Sequence, residues 1–289
     1  MKPNLSPIIA GTMTWGKWGK NLDIKGIISL METCLQEQIS TFDHADIYGG
    51  HTTEEDFGKA FSESKIDRSA IQLISKCGIK YISENRNYDI KHYDYSEEYI
   101  IWSVENSLKN LQTDYLDVLL LHRPSPLMIV DEIANAIEKL KTQGKIKSFG
   151  LSNFTNSQTQ LIQRKIKVDY NQIQFSATHH EAMTDGSLDF MQIHDIAPMC
   201  WNPLGSIFKE ENDQTQRLKT LLKDLSKKYN TDEDVILLSW ILQHPSGILP
   251  VIGTTNPERI KNAMKAINLK MDLEDWFRIW TESMGTKVP

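Results

Sequence analysis

Short apolar runs recur along the chain, each closed by a polar or glycine-containing loop and followed by a longer stretch with apolar positions at helical spacing. The runs predict strands at residues 8–10, 40–43, 71–76, 116–122, 147–151, 170–175, 197–201 and 249–253. Between them, sets such as Ile27, Leu30, Met31, Cys34 and Leu35 place an apolar stripe along one side of a helix. Thr52-x-x-Glu55 and Thr155-x-x-Gln158 read as capping boxes, and Asn256 followed by Pro257 reads as an N-cap and a first helical residue. The stretch from Leu116 to Leu121, LDVLLL, does not alternate, as expected of a parallel strand buried on both faces. Eight strands alternating with helices predict an α/β chain folded as one (β/α)8 TIM barrel over residues 1–289, with loop insertions and a C-terminal helix. A doubly wound sheet is the competing architecture. It is disfavoured because Gly11-Thr12-Met13-Thr14-Trp15-Gly16 lacks the G-x-G-x-x-G spacing, and no other strand-to-helix turn supplies it.

Two segments exceed what a minimal barrel needs. Residues 78–95 form a polar, tyrosine-rich loop placed to cover a site. Residues 204–229 hold a loop and an additional charged helix, before the next helix starts near Asp232. Residues 273–284 read as a closing amphipathic helix with a short tail.

The barrel reading directs attention to polar residues at strand ends, because the loops there carry the chemistry of such folds. Asp43 ends one strand and Tyr48 lies in the loop after it, within ISTFDHADIYGG; Lys76 ends ISK, and His122 ends LLLH. Each has a plain alternative by itself: Asp43 as a turn cap, Lys76 as a solvated lysine, His122 as a loop histidine, Tyr48 as packing beside Gly49. Their conjunction favours an inherited site. The 289 residues include 40% hydrophobic and 24% charged ones, and a net charge of −6 argues against a nucleic-acid or anionic-membrane surface. The first residues lack the apolar core of a signal peptide, and no apolar run is long enough to span a bilayer, which predicts a cytoplasmic protein. Cys34, Cys77 and Cys200 form neither a paired framework nor a C-x-x-C site. His44, His51, His179 and His180 lack the spacing and acidic supports of a metal site, so no metal is expected.

The motifs TFDHADIYG, LISKCG, DVLLLHRP, GKIKSFGLSNF, WNPLG and LPVIGTTNPERI occur in order from Gly11 to about Lys265. Together they make the chain resemble the aldo-keto reductase family, and in particular its short-tailed bacterial members. The resemblance implies an NADPH-dependent oxidoreductase that transfers hydride to an aldehyde or ketone, with a small carbonyl compound as its partner and a monomeric state. Under it Tyr48 is the general acid, Lys76 eases loss of the phenolic proton, Asp43 holds Lys76, and His122 orients the carbonyl oxygen. Ser152, Asn153 and Gln172 match positions that hold the nicotinamide carboxamide, and Trp201 matches the ring that stacks on it. Leu204, Gly205 and Ser206 fall where the pyrophosphate is embraced, with Asn202 beside them. Thr254 and Arg259 match the contacts of the adenosine 2′-phosphate, and an arginine there favours the phosphorylated dinucleotide. Gly11, Thr12, Met13, Gly253 and Asn262 are placed at the cofactor by the same motifs. Gly253 stands where many relatives carry lysine, and Ala263 where many carry asparagine.

Trp15 and Trp18 are candidate substrate contacts at the mouth. The short tail after Met284 predicts an open pocket that accepts small aldehydes broadly. Two other classes remain open at this point. One is an NADPH-binding sensor or subunit with little turnover; the other is a barrel enzyme using Lys76 as a Schiff-base amine.

Overall fold

Parallel pairing passes from each strand to the next in chain order and returns to the first. The strands are β1 (Ile9–Gly11), β2 (Thr41–Asp43), β3 (Gln72–Cys77), β4 (Leu116–Leu121), β5 (Ile146–Ser152), β6 (Tyr170–Gln174), β7 (Ala197–Trp201) and β8 (Leu249–Ile252), and β8 pairs with β1 to close the barrel. This computed structural model describes residues 4–288; the outermost ends of the expected domain, residues 1–3 and 289, lie outside the described residues. Each observed strand begins and ends within one residue of its apolar run.

Two apolar layers explain the lack of alternation in these strands. Ile9, Ile74, Val118, Leu120, Tyr170, Met199 and Val251 fill the barrel interior. The other face of the same strands joins a larger core beneath the helices, so on β4 Val118 and Leu120 point inward while Leu119 and Leu121 meet the helical shell. Burial of each such side chain contributes about 1.5–3 kcal/mol.

The helical shell follows the predicted stripes. Helix α1 (Ile24–Gln36) buries Ile27, Leu30, Met31 and Cys34, with the Asp23 carboxylate accepting from Gly26 N at 2.8 Å. Next come α2 (Thr53–Glu63), α3 (Glu97–Leu111), α4 (Val130–Thr142), α5 (Asn156–Gln163) and α6 (Ser187–Ile193). After them lie α7 (Asp213–Tyr229), the additional charged helix, and then α8 (Glu233–Leu242), α9 (Pro257–Lys265) and α10 (Leu273–Met284). The capping box of Thr155 with Gln158 is present, and the Asn256 side chain accepts from Glu258 N at 2.9 Å. The box expected at Thr52 is absent. A short turn, Tyr48–His51, runs straight into α2, so Thr52 keeps helical dihedrals and its hydroxyl donates to Gly49 O at 3.1 Å.

The loop after Lys76 has structure of its own. Ile79–Lys80 pairs antiparallel with His92–Tyr93, making a small hairpin over the C-terminal mouth of the barrel. Helix α10 is fastened to α8 by reciprocal bonds, Trp240 Nε1 to Trp276 O at 3.1 Å and Trp276 Nε1 to Trp240 O at 2.9 Å.

Candidate active site

Strand ends at the mouth bring four titratable side chains together. Asp43 leaves β2 and Lys76 lies near the end of β3, two strands paired with Asp43 opposite Ile74. The Lys76 ammonium, only 1% exposed, donates to Asp43 Oδ2 at 2.7 Å, His44 O at 2.8 Å and Tyr48 Oη at 3.1 Å. These three acceptors use all its protons. The other Asp43 oxygen accepts from Gln172 Nε2, on β6, at 3.2 Å. Tyr48 reaches Lys76 because the chain turns sharply after it: Gly49 and Gly50 take φ +63° and +69°, and a Cβ on Gly49 would lie 2.5 Å from Thr53 Oγ1. Only glycine adopts such backbone without strain and leaves that space open. His122 follows β4, its backbone N–H bonded to Cys77 O at 2.9 Å, and its ring meets Tyr48 edge-on at 6.1 Å between centroids.

The environment sorts the protonation states. For Lys76, burial lowers the pKa, but the Asp43 charge and Tyr48 outweigh it, and the net shift is upward. The ammonium is thus retained, the wrong state for a Schiff-base nucleophile. Burial raises the Tyr48 pKa; Lys76 pulls it down and Asp43 pushes it up, leaving it above the ordinary phenol value. Lys76 thus eases loss of the phenolic proton without overcoming burial, and the phenol keeps its proton. Burial, reinforced by the charges of Lys76 and Arg123, drives the His122 pKa well below the usual imidazole range, so the ring is neutral.

Around this centre lies a strip of polar residues. Trp201 Nε1 donates to Asn153 Oδ1 at 2.9 Å, and Asn153 Nδ2 donates to the Ser152 hydroxyl at 2.8 Å. Ser152 in turn donates to Gln172 O at 3.2 Å, which joins the four residues expected at the nicotinamide into one floor. The strip continues through half-buried Asn202, Leu204 and Ser206. Gly205 has φ +58°, and a Cβ there would lie 2.0 Å from Thr178 Oγ1. Ser206 N is already bonded to that same oxygen at 3.0 Å. Lys209 Nζ donates to Asn202 Oδ1 at 3.1 Å. Arg259 is exposed in the first turn of α9, Thr254 lies just before that helix, and Gly253 has open space where a side chain would be. Asn262, on the same helix, donates to Asp232 Oδ2 at 2.8 Å.

The first strand's residues divide. Met13 is exposed, whereas Gly11 is buried against Val251 and Ile252, and the Thr12 hydroxyl is spent on Asp43 O at 3.0 Å and on His44 Nδ1. Trp15 does not line the mouth. It is 1% exposed and packs on Phe42 and Phe57 in the outer core, because its position after the β1 turn directs the ring beneath α2. Trp18 does lie at the mouth, 39% exposed, with Tyr48 at 6.1 Å and Tyr81 at 5.3 Å. Tyr81 and Arg123 belong to the same rim and went unmarked in the sequence. Tyr81 sat unremarked in a loop of several tyrosines, and Arg123 was absorbed into the HRP motif as a flank of His122.

The residues present fit a nicotinamide cofactor. The His122 Nδ1 atom is enclosed without a hydrogen-bond partner, the carboxamide-type floor is assembled, and an arginine stands at a helix N-terminus where phosphate is favoured. Among the described residues no group of three or more His, Cys, Asp or Glu could hold a metal ion, and no helix is long and apolar enough to cross a membrane.

Comparison with known proteins points the same way as the geometry. Uncharacterized oxidoreductase YcsN of Bacillus subtilis is 40% identical over 290 residues, covering 98% of this chain and 96% of that protein. A 6-dehydroglucose reductase of Agrobacterium fabrum is 36% identical over 263 residues, covering 89% of this chain and 88% of that protein. An aldo/keto reductase from Klebsiella pneumoniae, solved in complex with NADP and acetate, shares the fold with a TM-score of 0.81 at 22% identity, over 95% of this chain and 90% of that one. The sequence profile of the aldo/keto reductase family matches residues 7–281, and with the barrel, the strand-end cluster and the 40% relative in agreement, the chain belongs to that family.

Proposed function

We propose that the protein is an NADPH-dependent reductase of aldehydes or ketones in which Tyr48 supplies the proton. The observation that carries this reading is the Lys76 ammonium shared between Asp43 and the Tyr48 phenol at the barrel mouth. When bound, the cofactor supplies the hydride that reduces the carbonyl carbon. Ser152, Asn153, Gln172 and Trp201 would hold its nicotinamide; Asn202, Leu204, Gly205 and Ser206 would follow the pyrophosphate, with Met13 at the opposite rim. Thr254 and Arg259 would meet the 2′-phosphate, with Gly253 and Asn262 beside them. The NADP held by the Klebsiella relative supports the choice of cofactor.

The protein's own groups divide the remaining work. Neutral His122 can donate one N–H to the carbonyl oxygen without competing as an acid. Tyr48 holds its proton until negative charge develops on that oxygen, and then transfers it from Oη. The phenolate left behind faces the Lys76 ammonium at 3.1 Å, so its charge is stabilised where it forms. Asp43 positions Lys76 and, by keeping it charged, fixes the sign of that stabilisation.

Tyr48→Phe removes the acid and little else. NADPH oxidation with a panel of aromatic aldehydes and diketones should fall by about 100-fold or more, while NADPH binding stays nearly intact. Full activity in this variant would remove Tyr48 from the mechanism. NADH run beside NADPH, with Arg259→Ala, tests the phosphate contact: the variant should lose preference for NADPH through KM more than through kcat.

A further inference from the structure

Arg123 follows His122 at the end of β4, and its place differs from that of an ordinary surface arginine. It is half-buried, its guanidinium carbon lies 5.6 Å from the centre of the Trp201 ring, and its backbone is clamped on both sides by the Tyr95 hydroxyl, which bonds both Arg123 N and Arg123 O. Among the described residues its guanidinium makes no side-chain hydrogen bond, and no carboxylate stands within ion-pair distance of it. Two acids of this region are already engaged, Asp43 by Lys76 and Asp94 by Lys80 at 3.1 Å. Lys91, on the hairpin loop, is exposed, and its charge is also felt at His122. The charge of Arg123 reaches both Tyr48 and His122. The mouth therefore carries cations beyond the one its buried carboxylate neutralises.

An arginine held by its backbone and stacked near an aromatic ring loses little freedom when its planar fork engages a carboxylate. Its donors are then available to whatever enters the mouth beside the carbonyl-orienting histidine. We propose that Arg123 is a specificity residue that selects carbonyl substrates bearing an anionic group, a carboxylate within a few bonds of the carbonyl, with Lys91 adding long-range attraction at the rim. This rests on the reductase reading for the identity of the site, though the preference for an anion does not depend on turnover. The hydrogen bonds formed would be charge-assisted, a class strong enough to give a preference of about ten-fold or more. Lys91 is exposed and screened, so its share should vanish as salt is raised, while that of Arg123 should persist.

The experiment pairs substrates that differ in charge. NADPH-dependent kcat/KM is measured for 4-carboxybenzaldehyde and for benzaldehyde with the native protein, Arg123→Gln and Arg123→Lys. Separately, benzoate and benzamide are titrated calorimetrically into the protein alone. The expected result is about a ten-fold preference for the charged member of each pair, reduced close to parity in Arg123→Gln and partly restored in Arg123→Lys. Equal values for charged and neutral partners in the native protein would overturn the inference. So would an Arg123→Gln variant that keeps the carboxylate preference but binds NADPH more weakly, since the arginine would then serve the cofactor. If no aldehyde is turned over, the reductase reading fails by itself, and the benzoate titration still decides the role of Arg123.

Discussion

Asp43 and Asp46 leave the same strand three residues apart, and the barrel wall places them in opposite electrostatic worlds. Asp43 faces the interior mouth, where Lys76 and Gln172 satisfy both its oxygens. Asp46 turns outward beneath α2 and α3, where it accepts from the Ser103 hydroxyl at 3.0 Å and its second oxygen is enclosed without a partner. Its neighbour there is another acid: Glu54, 3% exposed and bonded to Ser75 at 2.6 Å. Burial, then repulsion from Glu54, pushes the Asp46 pKa well up, and burial raises that of Glu54 despite its hydroxyl partner. One side of the loop holds an ion pair; the other holds acids that burial drives toward their neutral forms. The lesson is that a buried carboxylate keeps its charge or is driven toward its neutral form according to whether a cation was built beside it.

Lys76 carries the largest part of the difference between the two sides. Lys76→Met strands the Asp43 charge in the barrel, and urea unfolding at pH 7 should show a loss of about 3–5 kcal/mol. A loss below about 1 kcal/mol would mean that the pair is not held as a buried ion pair. The acidic side behaves differently with pH. Carboxyls with raised pKa values bind protons in the folded chain that the unfolded chain releases, so they favour folding below the ordinary carboxylate range, and that contribution is lost as pH rises through the raised values. Asp46→Asn should therefore raise the Tm at pH 8 more than at pH 4, and an equal effect at both would show that folding leaves the Asp46 pKa unshifted. The smallest change is Ser103→Ala, which removes one hydroxyl from Asp46 and should cost about 1 kcal/mol by the same unfolding measurement at pH 7.

Much of the scaffold was legible because a parallel barrel writes itself as apolar runs with polar ends. The runs 71–76 and 116–122 are bounded by burial on both faces, and their last residues, Lys76 and His122, stand out because such side chains rarely terminate a core strand without a partner. Partners far apart in sequence were harder to see. Trp15 follows the β1 turn within a few residues of Trp18, yet one ring goes under α2 and the other into the mouth, a choice made by the space around Phe42 and Phe57. Thr52 carried the pattern of a capping box, but the pattern does not record that the preceding Tyr48–His51 turn already supplies helical geometry. The net effect on Tyr48 is not legible in the sequence for a related reason. A motif names the cation beside the phenol, whereas the depth of burial that opposes it emerges only from the packed fold.

His51 joins two pieces that a sequence reader would treat as separate. Its Nδ1 meets Asp46 O at 2.8 Å and its Nε2 meets Tyr81 O at 3.3 Å. The turn carrying the phenol and the hairpin loop shaping the rim are thereby tied through a single imidazole, which itself sits at φ +73°. For anyone wishing to redesign which compounds enter, the rim is not an interchangeable cassette. Grafting a foreign loop onto residues 78–95 would pull on the tether of Tyr48, so selectivity and reactivity should drift together unless His51 and its acceptor at position 81 travel with the graft.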